Sequence, residues 1–247
     1  MRFLRLPLND PRTISRDIPG ISESLFPSMV PGMIAYLNRT KESVSTITKV
    51  PQNLISLTTI NASMLFEIAC VRAEKMLKEE EVINHECLEE ANRRQSRYFD
   101  AQIAKEITIN DQLAIDFTAN NLVEGLRALS SNSSISVAPK IPGLHWIASS
   151  EGDFAYNDKL VEVKCIAKNF SANDYRQLLF YWLLKAAKVI NTNEPNWEYG
   201  ILFNPRLNHV VKFKFTELLN LVSGGRDLIA TIELLQSILL SGRRNLT

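Results

Sequence analysis

Residues 152–165 constrain this chain more than any other stretch. Two short runs, Gly152-Asp153-Phe154-Ala155-Tyr156 and Leu160-Val161-Glu162-Val163-Lys164-Cys165, flank Asn157-Asp158-Lys159. Each run is short and apolar-rich like a β-strand, and Asn-Asp is turn material, so the stretch predicts a β-hairpin. A two-residue loop at Asn157 and Asp158 pairs Tyr156 with Lys159 and sets Asp153 opposite Glu162. Opposed side chains have Cβ atoms roughly 4.5–5.5 Å apart, and like charges at that spacing destabilise a sheet unless something offsets them. A divalent cation would do so. Lys164, two residues beyond Glu162, projects from the same face. A plainer reading stays open: alternating polar residues also mark the solvated face of an exposed antiparallel hairpin.

Downstream, Ser171 and Asp174 have the hydroxyl-then-acid spacing of a capped helix start, and residues 175–190 continue with helical periodicity. Leu178, Leu179, Trp182, Leu183, Ala186, Val189 and Ile190 cover more than half the circumference, which predicts a helix packed on a sheet. The other arc carries Asp174, Gln177, Tyr181, Lys185 and Lys188. Gln177 and Tyr181 are four apart and stand one above the other.

At 247 residues, 45% apolar and 22% charged, the chain can bury a sizeable core as one large domain or two small ones. A net charge of +1 excludes a generally basic nucleic-acid binder, so any such contact needs a local patch or a partner. Cys70, Cys87 and Cys165 are widely separated and form no C-x-x-C pair, which fits a reducing cytoplasm and argues against structural zinc. His85, His145 and His209 have no metal-ligand spacing. The longest uncharged apolar run, residues 178–184, is far short of the ~20 needed to cross a bilayer. The first residues lack a signal-peptide pattern. The expectation is a cytoplasmic chain with no membrane partner.

The first sixty residues are punctuated by prolines. Residues 3–8 are expected as a short edge strand, 31–37 as a helix start, and 43–49 as strand or loop. Two helices follow, over about 61–81 and 85–105. Arg93, Arg94 and Arg97 cluster on the second, either as a phosphate-contacting patch or as a solvated face paired with Glu89 and Glu90. A boundary falls near residues 107–111, where Asn110-Asp111 starts a helix to about Leu129. Its apolar stripe is Ile115, Ala119, Leu122, Val123, Leu126 and Leu129. Strands are expected over 135–138, 144–148, 198–203 and 210–215. The last helical stretch, 216–240, breaks at Gly224-Gly225 and carries a ridge of Leu228, Ile232, Leu235 and Leu239. The order predicts an α/β core with a mixed sheet over residues 109–247, preceded by a mainly helical region over 1–108.

Asp153, Glu162-x-Lys164 and Gln177-x-x-x-Tyr181 together resemble the PD-(D/E)XK nuclease superfamily, and the Gln-x-x-x-Tyr helix resembles its RecB-like, restriction-endonuclease-like branch. The resemblance covers about the C-terminal half, with the sharp motifs inside residues 153–181. Gly152 stands where proline is common, and three cysteines are one short of the iron–sulfur staple that some branches carry. The resemblance implies a restriction-endonuclease-like core, a mixed central β-sheet flanked by helices. It also implies a Mg²⁺- or Mn²⁺-dependent deoxyribonuclease. Asp153 and Glu162 would hold the metal, with the Val163 carbonyl as a further ligand. Lys164 would position or help deprotonate the attacking water and stabilise the anionic transition state. Gln177 and Tyr181 would orient a water or the scissile phosphate, and Lys185 and Lys188 would hold the DNA backbone. Glu124, on the helix before the first core strand, is the implied further acid, although the helical wheel equally turns it to water. The implied partners are DNA and, given the near-neutral charge, a protein partner or a second copy, as in a restriction-like or phage-defence effector. Two alternatives stay open: a non-catalytic nucleic-acid-binding or assembly module of a larger complex, and a nuclease acting on RNA.

Overall fold

The computed structural model describes residues 10–14, 18–96, 103–190, 192 and 194–244. The strand expected over residues 3–8 and the side chain of Arg97 lie outside them. Seven strands follow one another: β1 Ser136–Val137, β2 Lys140–Ile141, β3 Ser150–Glu151, β4 Phe154–Tyr156, β5 Lys159–Val163, β6 Tyr199–Asn204 and β7 His209–Lys214. Five of them form one mixed sheet in the order β1-β4-β5-β6-β7, and β2 pairs with β3 in a separate ribbon.

The hairpin has the predicted register, with Tyr156 opposite Lys159 and Phe154 opposite Val161. Asn157 takes the left-handed conformation, φ 49°, that asparagine tolerates in turns. β5 and β6 run parallel, and parallel neighbours need a crossover. The Ala172–Val189 helix supplies it. β6 and β7 close antiparallel around residues 205–208. Two expected strands differ. Residues 144–148 form only an isolated bridge between Leu144 and Ile147, because residues 140–141 and 150–151 take the pairing instead. Residues 43–49 run as a loop, joined to β7 by the Glu42–Val210 bridge.

Side chains alternate across the sheet and feed two apolar layers. Ala155, Leu160, Leu202 and Val211 face the Ala172–Val189 helix. Phe154, Tyr156, Val161, Val163, Ile201 and Phe203 face the other side, covered by the Ala62–Leu77 and Ile109–Ser130 helices. The first hundred residues contribute to both layers, with Ile21, Leu25 and Phe26 in the first and Met64, Leu65 and Ile68 in the second. The Phe215–Val222 and Leu228–Arg244 helices complete the first layer, and of the predicted ridge Ile232, Leu235 and Leu239 are buried there while Leu228 is half-buried. The Ala172–Val189 helix is therefore covered all round from Leu178 to Leu184 rather than along one stripe. No described helix is long and apolar enough to cross a membrane.

The Ile109–Ser130 helix begins one step earlier than Asn110-Asp111 implies. Thr108 caps it, and Asp111 completes the capping box. Gly125 lets this helix lie against the sheet, since a Cβ there would collide with the Phe203 ring. Asp111 also ties down the preceding loop. Fully buried, it accepts from the backbone N of Thr59 at 2.7 Å and of Thr108 at 2.9 Å, and from both threonine hydroxyls. Burial alone would raise this carboxyl; the bonds from Thr108 and Thr59 outweigh it and hold it at about 2. A carboxyl held below its ordinary value of ~4 stabilises the fold above that pH and loses the contribution as pH falls through its folded value. Asp111→Ala is expected to lower stability at pH 7 by about 2–3 kcal/mol. In urea denaturation the gap from wild type should close between about pH 4 and pH 2, and a gap independent of pH would refute the assignment.

Candidate active site

The alternation that builds the sheet puts Asp153, Glu162 and Lys164 on one face, in line with Ala155 and Leu160 and beneath the Ala172–Val189 helix. Charged groups thus occupy positions that apolar residues fill elsewhere on this face. Glu162 is only 4% exposed. Lys164 Nζ donates to Glu162 Oε1 at 2.8 Å and to Gln177 Oε1 at 2.9 Å. Gln177 Nε2 donates to Glu162 Oε1 at 2.7 Å and to the Tyr181 hydroxyl at 2.9 Å. A carboxylate needs a donor and an ammonium needs an acceptor, so the Gln177 amide can face this pair in only one sense. Asp153 Oδ2 accepts from the backbone N of Val163 at 2.6 Å, which fastens the acid to the neighbouring strand. The capping start of the helix is present as expected, with Ser171 N and Oγ donating to Asp174 Oδ2. Asp174 also stands 4.0 Å from Lys164 Nζ.

Asp153, Glu162, Lys164, Gln177 and Tyr181 line a cavity of about 910 Å³. Some of its other walls come from parts of the chain whose sequence carried no such expectation. Arg12 and Thr13 contribute from residues 10–14, and Glu67 and Glu74 from the Ala62–Leu77 helix. Cys165, Lys168 and Arg206 contribute from the loops beyond β5 and β6. Glu67 and Glu74 are seven apart on a helix that is otherwise largely apolar, which places them on one face; that spacing was the available signal. Burial raises the Cys165 thiol to about 12, so it is no ready nucleophile.

Several expected site residues are elsewhere. Glu124 is exposed and pairs with Arg127 at 3.0 Å. It lies opposite the apolar stripe that packs on the sheet, so it cannot reach the cavity, and the acids flanking Asp153 come from the Ala62–Leu77 helix instead. Lys185 lies 3.9 Å from the Trp197 ring centroid, and Lys188 is exposed. They follow Gln177 by eight and eleven residues, roughly 12 and 16 Å along the axis, and neither lines the cavity. Arg93 and Arg94 do line it, but both are engaged. Arg94 grips Glu74 with two bonds of 2.8 and 2.7 Å, meets Glu90 at 2.8 Å and stands 3.5 Å from Glu67. Arg93 takes Glu90 with bonds of 2.7 and 2.6 Å. The paired reading of this cluster therefore describes these two, through Glu90; Glu89 faces His85 instead.

The electrostatics set what the site can hold. Burial first, and then the Glu162 charge, push the Asp153 carboxyl up to about 8 against the pull of Lys164. Burial works against the Lys164 charge, but Glu162 and Asp153 outweigh it and hold the ammonium above its ordinary range. Lys164 is accordingly a charged donor in the metal-free site. Burial, then Glu162, hold the Tyr181 phenol neutral. Among the described residues no group of three or more His, Cys, Asp or Glu is gathered to hold a metal ion. The two-carboxylate donor set still fits a hard cation. Each acid commits one oxygen to a fixed bond, Oδ2 of Asp153 and Oε1 of Glu162, and keeps the other. Mg²⁺ is commonly held by one or two carboxylates with waters completing its shell.

The sign for Asp153 is opposite to that for Asp111. A folded value of about 8, above the ordinary ~4, makes the metal-free protein lose stability as pH rises through that window. Asp153→Asn is expected to abolish this loss, so its thermal midpoint in EDTA should exceed that of wild type at pH 8 and converge with it near pH 4. Mg²⁺ at pH 8 should raise the wild-type midpoint and leave Asp153→Asn unmoved; an equal shift in both would mean that these carboxylates do not bind it.

Comparison with known proteins finds no protein-family model, no curated protein and no solved structure that matches the chain.

Proposed function

We propose that the chain is a metal-dependent deoxyribonuclease with a restriction-endonuclease-like core of the PD-(D/E)XK type, a restriction-like or phage-defence effector that works with a partner. The observation that carries this reading is the bonded line Glu162–Lys164–Gln177–Tyr181 beside Asp153, set at a cavity wall on an otherwise apolar sheet face. A fold gains no stability from two facing carboxylates, and their chemistry suits a site that receives a cation and a phosphate.

Asp153 and Glu162 would hold Mg²⁺ or Mn²⁺, which supplies, when bound, charge neutralisation at the phosphate and an acidified water. Lys164 donates two hydrogen bonds and keeps its charge, so its work is to orient the attacking water and stabilise charge developing on the phosphoryl oxygens. Gln177 fixes the distance between Lys164 and Glu162, and Tyr181 holds Gln177 from the turn above. Gln177 and Tyr181 are positioning residues, because their polar atoms are directed to one another and to the two charged groups.

The test is incubation with supercoiled, linear and single-stranded DNA, and with RNA of the same sequence, in Mg²⁺, Mn²⁺ or EDTA. Cleavage of DNA that needs metal is expected, with Glu162→Ala and Lys164→Ala each losing at least about 10²-fold. Tyr181→Phe removes one acceptor from Gln177 and leaves its other bonds, so its loss should be about tenfold or less. Cleavage that survives both Glu162→Ala and Lys164→Ala would place the chemistry elsewhere. Preference for RNA would reassign the substrate.

A further inference from the structure

Three loops meet beside the cavity: residues 40–50, 165–169 and 204–210. Buried asparagines join them. Asn208 accepts from Val44 N at 2.8 Å and donates to the carbonyls of Val44 at 3.0 Å and Ile47 at 2.8 Å. Asn204 donates to Ile166 O at 2.8 Å. Asn121, reaching across from the Ile109–Ser130 helix, donates to Thr48 O at 2.6 Å and Pro205 O at 2.9 Å. Backbone bonds from Val50 N to Arg206 O and from Glu42 N to Val210 O complete the clamp. All three asparagines are buried, and a satisfied buried polar network rigidifies what it joins.

The clamped loops carry Lys41, Lys49, Lys168 and Arg206 against a single carboxylate, Glu42. Among the described residues none of these four cations forms an ion pair, in contrast to Arg93 and Arg94. Lys41 only steadies Asn169 through a hydrogen bond of 2.5 Å. The uncompensated charge is felt by its neighbours. Burial, and then Lys41 and Lys49, hold the His209 imidazole below its ordinary range, and Arg206 pulls against the burial that raises Cys165. Lys168 and Arg206 line the cavity itself, so the charge runs from the cavity wall onto the surface.

We propose that this asparagine-clamped platform of Lys41, Lys49, Lys168 and Arg206 receives the phosphodiester backbone of a DNA strand entering or leaving the cavity. The placement rests on the nuclease reading, since that reading is what brings a strand to the cavity. A rigidly held group of cations without ion pairs suits a polyanion. It also answers how a chain of net charge +1 can bind one, because the positive charge is local.

The test uses Glu162→Ala protein, so that no substrate is cut, with fluorescent duplex DNA, single-stranded DNA and RNA in EDTA across a salt series. Adding Lys41→Ala, Lys49→Ala and Arg206→Ala should weaken binding at least about tenfold and reduce the slope of log affinity against log salt by about three, near one per lost phosphate contact. Lys185→Ala with Lys188→Ala should change neither, and an unchanged circular-dichroism melt should show that the platform variant is folded. Unchanged affinity and slope in the platform variant would overturn the proposal, as would an equal loss in the Lys185/Lys188 variant or stronger retention of RNA than of either DNA. The nuclease reading fails separately: a wild-type chain that binds DNA through the platform and cuts nothing would remove the enzyme and keep the surface.

Discussion

Asp153 and Glu162 lie near enough for the Glu162 charge to act on Asp153, in a place where the sheet is otherwise packing an apolar layer. Lys164 lies beside them, but one ammonium cannot neutralise two carboxylates, and Asp153 also feels the charge of Glu74. Bringing ionised groups out of water costs several kcal/mol each unless hydrogen bonds and opposite charge compensate. The surrounding structure is arranged to meet that demand. The Val163 amide holds Asp153, Gln177 bridges Lys164 to Glu162, and Tyr181 closes the line. The crossover helix that supplies Gln177 and Tyr181 is needed in any case to make β5 and β6 parallel. The site and the topology therefore depend on the same element.

The cavity has two unlike sides. Toward the Ala62–Leu77 and Asn84–Gln95 helices, carboxylates and guanidiniums lock one another, and Arg94 alone engages Glu67, Glu74 and Glu90. This pairing joins the two helices and leaves little net charge to offer a ligand. Toward the ends of β5 and β6 the loops are held by amides instead of ion pairs, so their cations stay available. The way each side is fastened decides which of them can meet a charged partner.

What the sequence made legible was local. The turn at Asn157-Asp158 set the hairpin register, period-two alternation then put Asp153, Glu162 and Lys164 on one face, and the four-residue step joined Gln177 to Tyr181. The misplacements arose where one dimension of the geometry was lacking. A helical wheel gives the angle of Lys185 and Lys188 but not their height along the axis, and the height carries them past the cavity. Glu124 lay on a suitable helix in chain order, yet its outward angle was decisive. Glu67 and Glu74 belong to a helix some eighty residues before Asp153, and no periodicity within either stretch relates them. Residues 144–148 had strand-like content, but the flanking residues captured the available hydrogen bonds.

The burial of the Ala172–Val189 helix on every side has a temporal consequence. Its outer surface is covered by residues near the start of the chain together with the Leu228–Arg244 helix, and Arg226 reaches back to the carbonyl of Ser24, 202 residues away. Closing so long a loop has an entropic cost, and a chain emerging from the ribosome cannot complete this cover until the Leu228–Arg244 helix is out. Until then the helix lacks part of its cover, and Gln177 has a less firmly seated helix from which to hold Lys164 against Glu162. The hairpin carboxylates precede that helix in the chain, so their alignment waits until the Leu228–Arg244 helix has been made.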